Sequence, residues 1–199
     1  MKKIILTIAI ALAAAFSANA QIRIEGALTL GNYEKPDGFS SIVSQGFDPA
    51  ASFAVRAFYD YNLNVNGLDG LMLSAGAGVL SNTIADKDNS SKFNTTWIQV
   101  PVTVGEYYQF GAGSLYAAVG LYYGYCISGK VYNSTVSIDA KDGLIKSNDF
   151  GYIAQVGYAL PMDLGIYCGY TNSLINIADL DGSGNMRNKV FEIGLFYKF

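Results

Sequence analysis

An all-β fold, an eight-stranded antiparallel up-and-down barrel spanning a Gram-negative outer membrane, is what this sequence predicts. Three observations carry the prediction. An export signal opens the chain, eight segments near strand length alternate apolar with polar or small residues, and the connections between them alternate short with long.

The export signal comes first. Lys2 and Lys3 precede the apolar run from Ile4 to Phe16, and Ser17-Ala18-Asn19-Ala20 ends in an A-x-A cleavage pattern. The run falls short of the roughly 20 residues that a membrane helix needs. Gln21 rather than Cys follows the cleavage point, so neither a helical anchor nor a lipoprotein is expected. Residues 1–20 are therefore assigned to a signal peptide and residues 21–199 to a single barrel domain. Loss of Lys2 and Lys3 takes the basic count from 13 to 11 against 16 acidic residues, a net charge of −5 that argues against a nucleic-acid partner. The 22 Gly, 15 Tyr and 11 Phe beside only 4 Pro suit strands, and no helix-forming Ala/Leu/Glu/Lys stretch follows the signal.

The strands are read as Ile22–Gly31, Ala51–Asn62, Gly70–Asn82, Thr95–Tyr107, Ser114–Ser128, Asn148–Leu160, Asp163–Asn172 and Lys189–Phe199. Most approach the roughly 10 residues of a tilted membrane strand. Asn32–Ala50, Thr83–Asn94, Gly129–Ser147 and Ser173–Asn188 are long polar connections, whereas Leu63–Asp69, Tyr108–Gly113 and Pro161–Met162 are short. Long loops on one side and short turns on the other are the pattern of outer-membrane barrels, with the short turns periplasmic.

Which face is apolar separates a lipid barrel from a soluble container. A lipocalin-like carrier, the alternative at this stage, keeps apolar residues inside; a membrane barrel turns them outward. In the last strand Phe191, Ile193, Leu195, Tyr197 and Phe199 share one face, opposite Val190, Glu192, Gly194, Phe196 and Lys198. In the first, Ile22, Ile24, Leu28 and Leu30 oppose Arg23, Glu25, Ala27 and Thr29; in the second, Phe53, Val55, Ala57, Tyr59 and Tyr61 oppose Ala54, Arg56, Phe58 and Asp60. One face is bulky and continuous while the other mixes charge with Gly and Ala, which places the bulky face in lipid. The same alternation puts Cys126 and Cys168 on opposite faces of the wall, so no disulfide is expected between them.

Arg23, Glu25, Arg56, Asp60 and Glu192 then form an inward set of both signs. Buried charges are costly unless paired and hydrogen-bonded, so an internal ion-pair network that plugs the narrow lumen is expected. Tyr33, Tyr59, Tyr61, Tyr107, Tyr108, Tyr123, Tyr125, Tyr158, Tyr170, Tyr197 and Phe199 lie near strand ends and are assigned to interfacial girdles.

Catalytic chemistry finds little support. The chain has no His, the commonest general base and metal ligand, and no G-x-S-x-G, P-loop or CxxC pattern. Outer-membrane proteases, phospholipases, lipid A deacylases and palmitoyltransferases rely on His, so no enzyme of these kinds is expected. Asp179, Asp181, Ser183 and Gly184 match the opening of a calcium loop, but position 12 is Val190 in place of the bidentate acid. Neither a metal nor a cofactor is expected. The N-x-S/T triplets at Asn89, Asn94 and Asn133 read as loop composition.

Thr96-Trp97-Ile98-Gln99-Val100-Pro101-Val102, followed by Tyr116 to Lys130 (YAAVGLYYGYCISGK), resembles the central hairpin of the PorT-like outer-membrane β-barrel family, small barrels common in Bacteroidetes. The likeness continues through Asp149-Phe150-Gly151, Gly169-Tyr170 and the terminal aromatic Phe199. It implies insertion by the barrel-assembly machinery, with the last-strand set Phe191, Ile193, Leu195, Tyr197 and Phe199 as the recognition element. The family's namesake is linked to type IX secretion, and no residue carries that role over. The expected function is non-enzymatic: envelope structure or surface interaction through four extracellular loops, by fold-level analogy with OmpA/OmpX-type barrels. A secretion-accessory role is the alternative. Expected partners are outer-membrane lipid and an extracellular or secretion-system protein, and the expected state is a monomer.

Overall fold

The computed structural model describes residues 20–34, 47–63, 65, 70–86, 91–133, 136–139, 145–179 and 186–199. The assigned signal segment before Ala20 lies outside the described residues.

Among the described residues, period-2 alternation becomes nine strands: β1 (Ala20–Glu34), β2 (Phe47–Asn62), β3 (Leu71–Asp86), β4 (Ser91–Phe110), β5 (Gly113–Asn133), β6 (Val136–Asp139), β7 (Asn148–Ala159), β8 (Leu164–Ser173) and β9 (Arg187–Lys198). Eight of them form a closed antiparallel ring in the order β4-β3-β2-β1-β9-β8-β7-β5, closed by β5 pairing with β4. The seam between β9 and β1 runs from Arg23↔Lys198 to Glu34↔Arg187. Closure gives every wall strand a paired neighbour on both sides, the condition for crossing lipid with strands. No helix among the described residues is long and apolar enough to cross a membrane.

The ring matches the eight wall strands expected from the sequence, and two details differ. The hairpins run further than the alternation suggested: β4 and β5 have 20 and 21 residues and continue through Thr95 and Gly129 into segments read as loops. Within the segment read as the loop Gly129–Ser147, β6 pairs with Lys130–Asn133 on the edge of β5 away from β4, above the start of β7. The alternation lapses where the register shifts, between Ala50 and Ala54 in β2 and at Ile127 in β5, opposite Thr96 and Trp97 of β4. A bulge puts two residues against one and breaks the period that sequence reading depends on.

Pro101 sits in mid-strand. It pairs with Tyr122 of β5, but on its other side the β3 ladder breaks between Ala75↔Val102 and Gly78↔Gln99. A proline has no N–H to donate, so the gap falls where the chemistry requires it. At the β7–β8 turn the Asp163 N–H donates to Leu160 O at 3.2 Å and Asp163 adopts φ 62°, so β8 starts at Leu164, one residue later than expected. Pro161 supplies the fixed φ of the turn's second position.

Alternation of exposure follows the predicted faces. Leu28, Val119, Val156 and Leu195 lie bare on the outside, at 70, 60, 59 and 54% exposure, while Arg23 and Glu192 inside are at 0%. This orientation is the reverse of a soluble container and overturns the lipocalin-like alternative. Of the assigned girdle aromatics, Tyr33 and Tyr107 are corrections. Tyr33 lies on the inward parity of β1 and packs on Phe93 (centroids 5.1 Å), and Tyr107 stacks on Tyr116 inside (4.9 Å). Proximity to a strand end does not decide the face; parity does.

Candidate functional site

The barrel interior is where the charged residues gather. β1 and β2 supply Arg23, Glu25, Arg56 and Asp60 at alternate positions, and β9 supplies Glu192. All five side chains are buried.

Two groups form. Arg23 donates through Nε and Nη2 to the two oxygens of Asp60, at 2.7 and 3.2 Å, and through Nη1 to Glu25. Its guanidinium also lies over Phe58 and Tyr116, 4.3 and 5.1 Å from the ring centroids, a position that adds cation–π attraction to the ion pair. Arg56 forms the second group. Its Nη1 and Nη2 donate to Glu192 Oε2 and Oε1 at 2.7 Å each, and Nη2 also reaches Gln99 Oε1 at 3.1 Å.

Neutral residues join both groups to the opposite wall. Gln155 of β7 donates to Glu25 Oε2 at 2.8 Å and accepts from the Tyr116 hydroxyl at 2.9 Å, and Thr171 of β8 donates to Glu192 Oε1 at 3.1 Å. The register alone points elsewhere: Glu25 stands directly opposite Arg56 in the β1–β2 ladder, yet no bond joins them. Each turns to a partner across the lumen instead.

Around these groups the lumen is filled. Trp97, Tyr116, Tyr122, Tyr167, Phe58 and Phe196 are fully or almost fully buried. Small residues make the space: a Cβ on Gly165 would meet the Phe196 ring at 2.1 Å, and one on Gly78 would meet Arg56 Cγ at 2.6 Å. At the long-loop end, Ile145, Ile177, Ala178 and Met186 fold in over Tyr33, Phe93, Trp97 and Cys126 as an apolar cap. Lys146 N donating to Ile177 O (2.8 Å) and Ile177 N donating to Met186 O (2.9 Å) hold it.

The polar contributors Asp149, Gln155, Gln99 and Thr171 were not among the expected site residues. Asp149 and Gln155 share the inward parity of β7 and were open to the same period-2 reading; Gln99 likewise follows Trp97 by two. The outward set Phe191, Ile193, Leu195, Tyr197 and Phe199 lies exposed along β9, with Tyr197 and Phe199 edge to face at 4.8 Å. Cys126 is buried, Cys168 is exposed on the outer wall, and no disulfide joins the two. Of the calcium-like loop, Asp179 is exposed, while Asp181, Ser183 and Gly184 lie outside the described residues. Asn94 points its amide at Ser81 Oγ and Thr83 Oγ1, at 3.0 and 2.6 Å.

A filled, ion-paired lumen can position and stabilise. Its chemistry is that of a core.

A family model described as "Outer membrane protein beta-barrel domain" matches residues 4–199. Among solved structures, Neisserial surface protein A is similar at 12% identity and TM-score 0.51, over 90% of this chain and 97% of that one. OprG of Pseudomonas aeruginosa (13% identity, TM-score 0.48, 91% and 96%) and Ail, the attachment invasion locus protein of Yersinia pestis (16%, 0.43, 90% and 97%), are also similar. At such identity the first likeness shows the fold alone. No curated protein sequence matches.

Proposed function

The chain belongs to the outer membrane protein β-barrel domain family, and from that premise we propose that it is a non-enzymatic barrel acting in envelope structure or surface interaction through its extracellular loops. One observation carries the reading: the lumen is occupied from wall to wall by paired Arg23, Arg56, Asp60, Glu25 and Glu192 together with large aromatics. With the interior spent on stability, the accessible chemistry is left to the loop end, where binding residues commonly sit on a rigid scaffold.

Residues 1–20 act on this reading as a cleaved export signal. The outward stripe of β9, from Phe191 to Phe199, meets the assembly machinery during insertion and lipid afterwards. A secretion-accessory role is the second reading, supported by the PorT-like likeness around Pro101 and Tyr116–Lys130.

The test has two arms. Purified barrel in planar bilayers is expected to pass no steady current; an open pore would overturn the filled-lumen reading. Cells carrying the barrel with segments 35–46 and 180–185 shortened are expected to lose surface attachment or partner capture while keeping the protein in the outer membrane. Unchanged attachment with loss of protein secretion, and co-purification with secretion components, would favour the second reading.

A further inference from the structure

Beneath the apolar cap lies a buried carboxyl that neither ion-pair group uses. Asp149, 1% exposed, meets three hydrogen-bonding groups at Oδ2: Ser173 Oγ (2.8 Å), Tyr122 OH (2.9 Å) and Asn188 Nδ2 (3.3 Å). No arginine or lysine pairs with it among the described residues.

The same carboxyl stands at the root of the cap. Ser173 ends β8 and Asn188 lies at the start of β9, so the connection that carries Ile177, Ala178 and Met186 leaves and returns beside Asp149. The Asn188 N–H closes that root by donating to Ser173 Oγ at 3.1 Å. Asp149 also follows directly on residues 145–148, where Ile145 bridges to Ala178 and the Lys146 N–H donates to Ile177 O. Both segments of the cap are therefore anchored at one side chain.

Three oxygens, Asp149 Oδ2, Ser173 Oγ and Tyr122 OH, form a ring, since Ser173 and Tyr122 are themselves 3.3 Å apart and either can donate to the other. A hydroxyl carries one hydrogen and rotates to suit its neighbours. With a proton on Oδ2 the hydrogens run one way round, from carboxyl to Ser173, from Ser173 to Tyr122 and from Tyr122 back to the carboxyl, and every O–H has an acceptor. With that proton gone, Ser173 and Tyr122 both turn onto Oδ2, the bond between them is lost, and Oδ1 has no partner for its share of the charge. A buried charge without a counter-charge is costly where water is excluded. The cap is what lies between this charge and water at the loop end.

We propose that Asp149 is the proton-operated clasp of a lid: protonated, it holds the cap shut over the lumen; ionised, it gives its proton to solvent and releases the cap, admitting water to the loop end of the lumen. The closed form holds a proton that the open form gives up, so rising pH favours the open form. The Arg23 and Arg56 ion pairs are not part of the ring, so the lumen stays plugged and release makes a hydrated vestibule with no through-path. The titratable or charged groups that neighbouring elements bring near Asp149 are Tyr33 of β1, Arg56 of β2, and Tyr122 and Cys126 of β5, with Arg56 already bidentate on Glu192. From β3, β4, β8 and β9 come Asn82, Trp97, Ser173 and Asn188, none of which titrates. Lys146, on the segment leading into β7, is exposed.

Trp97, the chain's one tryptophan, is 1% exposed and packs with the cap, so its accessibility reports the lid. Acrylamide quenching of the folded barrel in detergent micelles is measured from acid to alkaline pH, beside the infrared band of protonated carboxyls. In the unmodified barrel, quenching is expected to be weak at acid pH and to rise severalfold as pH rises. The protonated-carboxyl band should fall over the same interval, while the unboiled gel mobility stays that of the folded barrel. Asp149→Asn, which keeps the shape and cannot ionise, should remain weakly quenched throughout; Tyr33→Phe and Cys126→Ser should keep the rise. Quenching that does not change with pH overturns the proposal, as does a rise that persists in Asp149→Asn or one that Tyr33→Phe or Cys126→Ser removes. The unmodified protein decides alone where Asp149→Asn fails to fold, because a carboxyl band that does not fall in step with the rise overturns the proposal as well.

Discussion

Arg56 and Glu192 stand 136 positions apart in sequence and meet in the lumen as a bidentate pair, both nitrogen–oxygen distances 2.7 Å. β2 and β9 each flank β1, so this pair spans the first strand and locks the seam side of the barrel. Removing one partner strands the other charge in a medium that cannot solvate it. Arg56→Ala or Glu192→Ala is expected to cost about 3–5 kcal/mol. The joint replacement Arg56→Met with Glu192→Leu should recover most of that loss. Urea unfolding of the folded barrel, read by the mobility difference between boiled and unboiled samples, measures both.

Lipid contact gives a prediction of opposite kind. Leu28 is 70% exposed on the outer wall, at mid-strand in β1. Leu28→Arg is expected to destabilise the barrel by about 2–4 kcal/mol in bilayers. Thr29→Ala, one residue on, loses only the hydroxyl bond to Ser81 O (2.9 Å) and should cost about 1 kcal/mol. Equal effects at the two positions would argue against the assignment of faces.

The two thiols test those faces without changing the fold. A lipid-soluble maleimide is expected to modify Cys168 in the membrane-embedded protein and to leave Cys126 unmodified until the barrel is unfolded. Mass spectrometry of the labelled peptides reads the outcome, and labelling of Cys126 in the folded state would contradict the packed cap around it.

Overpacking supplies a fourth test. Gly165→Ala sets a methyl against the rigid Phe196 ring, and a cost of about 1–3 kcal/mol is expected. Phe196→Leu in the same chain should relieve part of it, so the double variant should be more stable than the sum of the two single losses predicts. Strict additivity would mean the ring is not the obstacle.

What the sequence determined by itself is what a two-residue period can carry. Ile22, Ile24, Leu28 and Leu30 against Arg23, Glu25, Ala27 and Thr29 were enough to give strand, face and lipid orientation, because each strand's side chains alternate whatever its partners. The count of wall strands followed from repeating that reading, and the inward position of all five charges came with it. Tertiary structure alone decided who pairs with whom. Glu25 faces Arg56 across the β1–β2 ladder yet bonds to Arg23 and Gln155, and Arg56 reaches Glu192, since closure brings β7 and β9 side chains within reach across a narrow lumen. The bulge at Ile127, the strand β6, and the cap of Ile145, Ile177 and Met186 over Trp97 were equally invisible. Each depends on hydrogen bonds and contacts between distant segments, which leave no period along the chain.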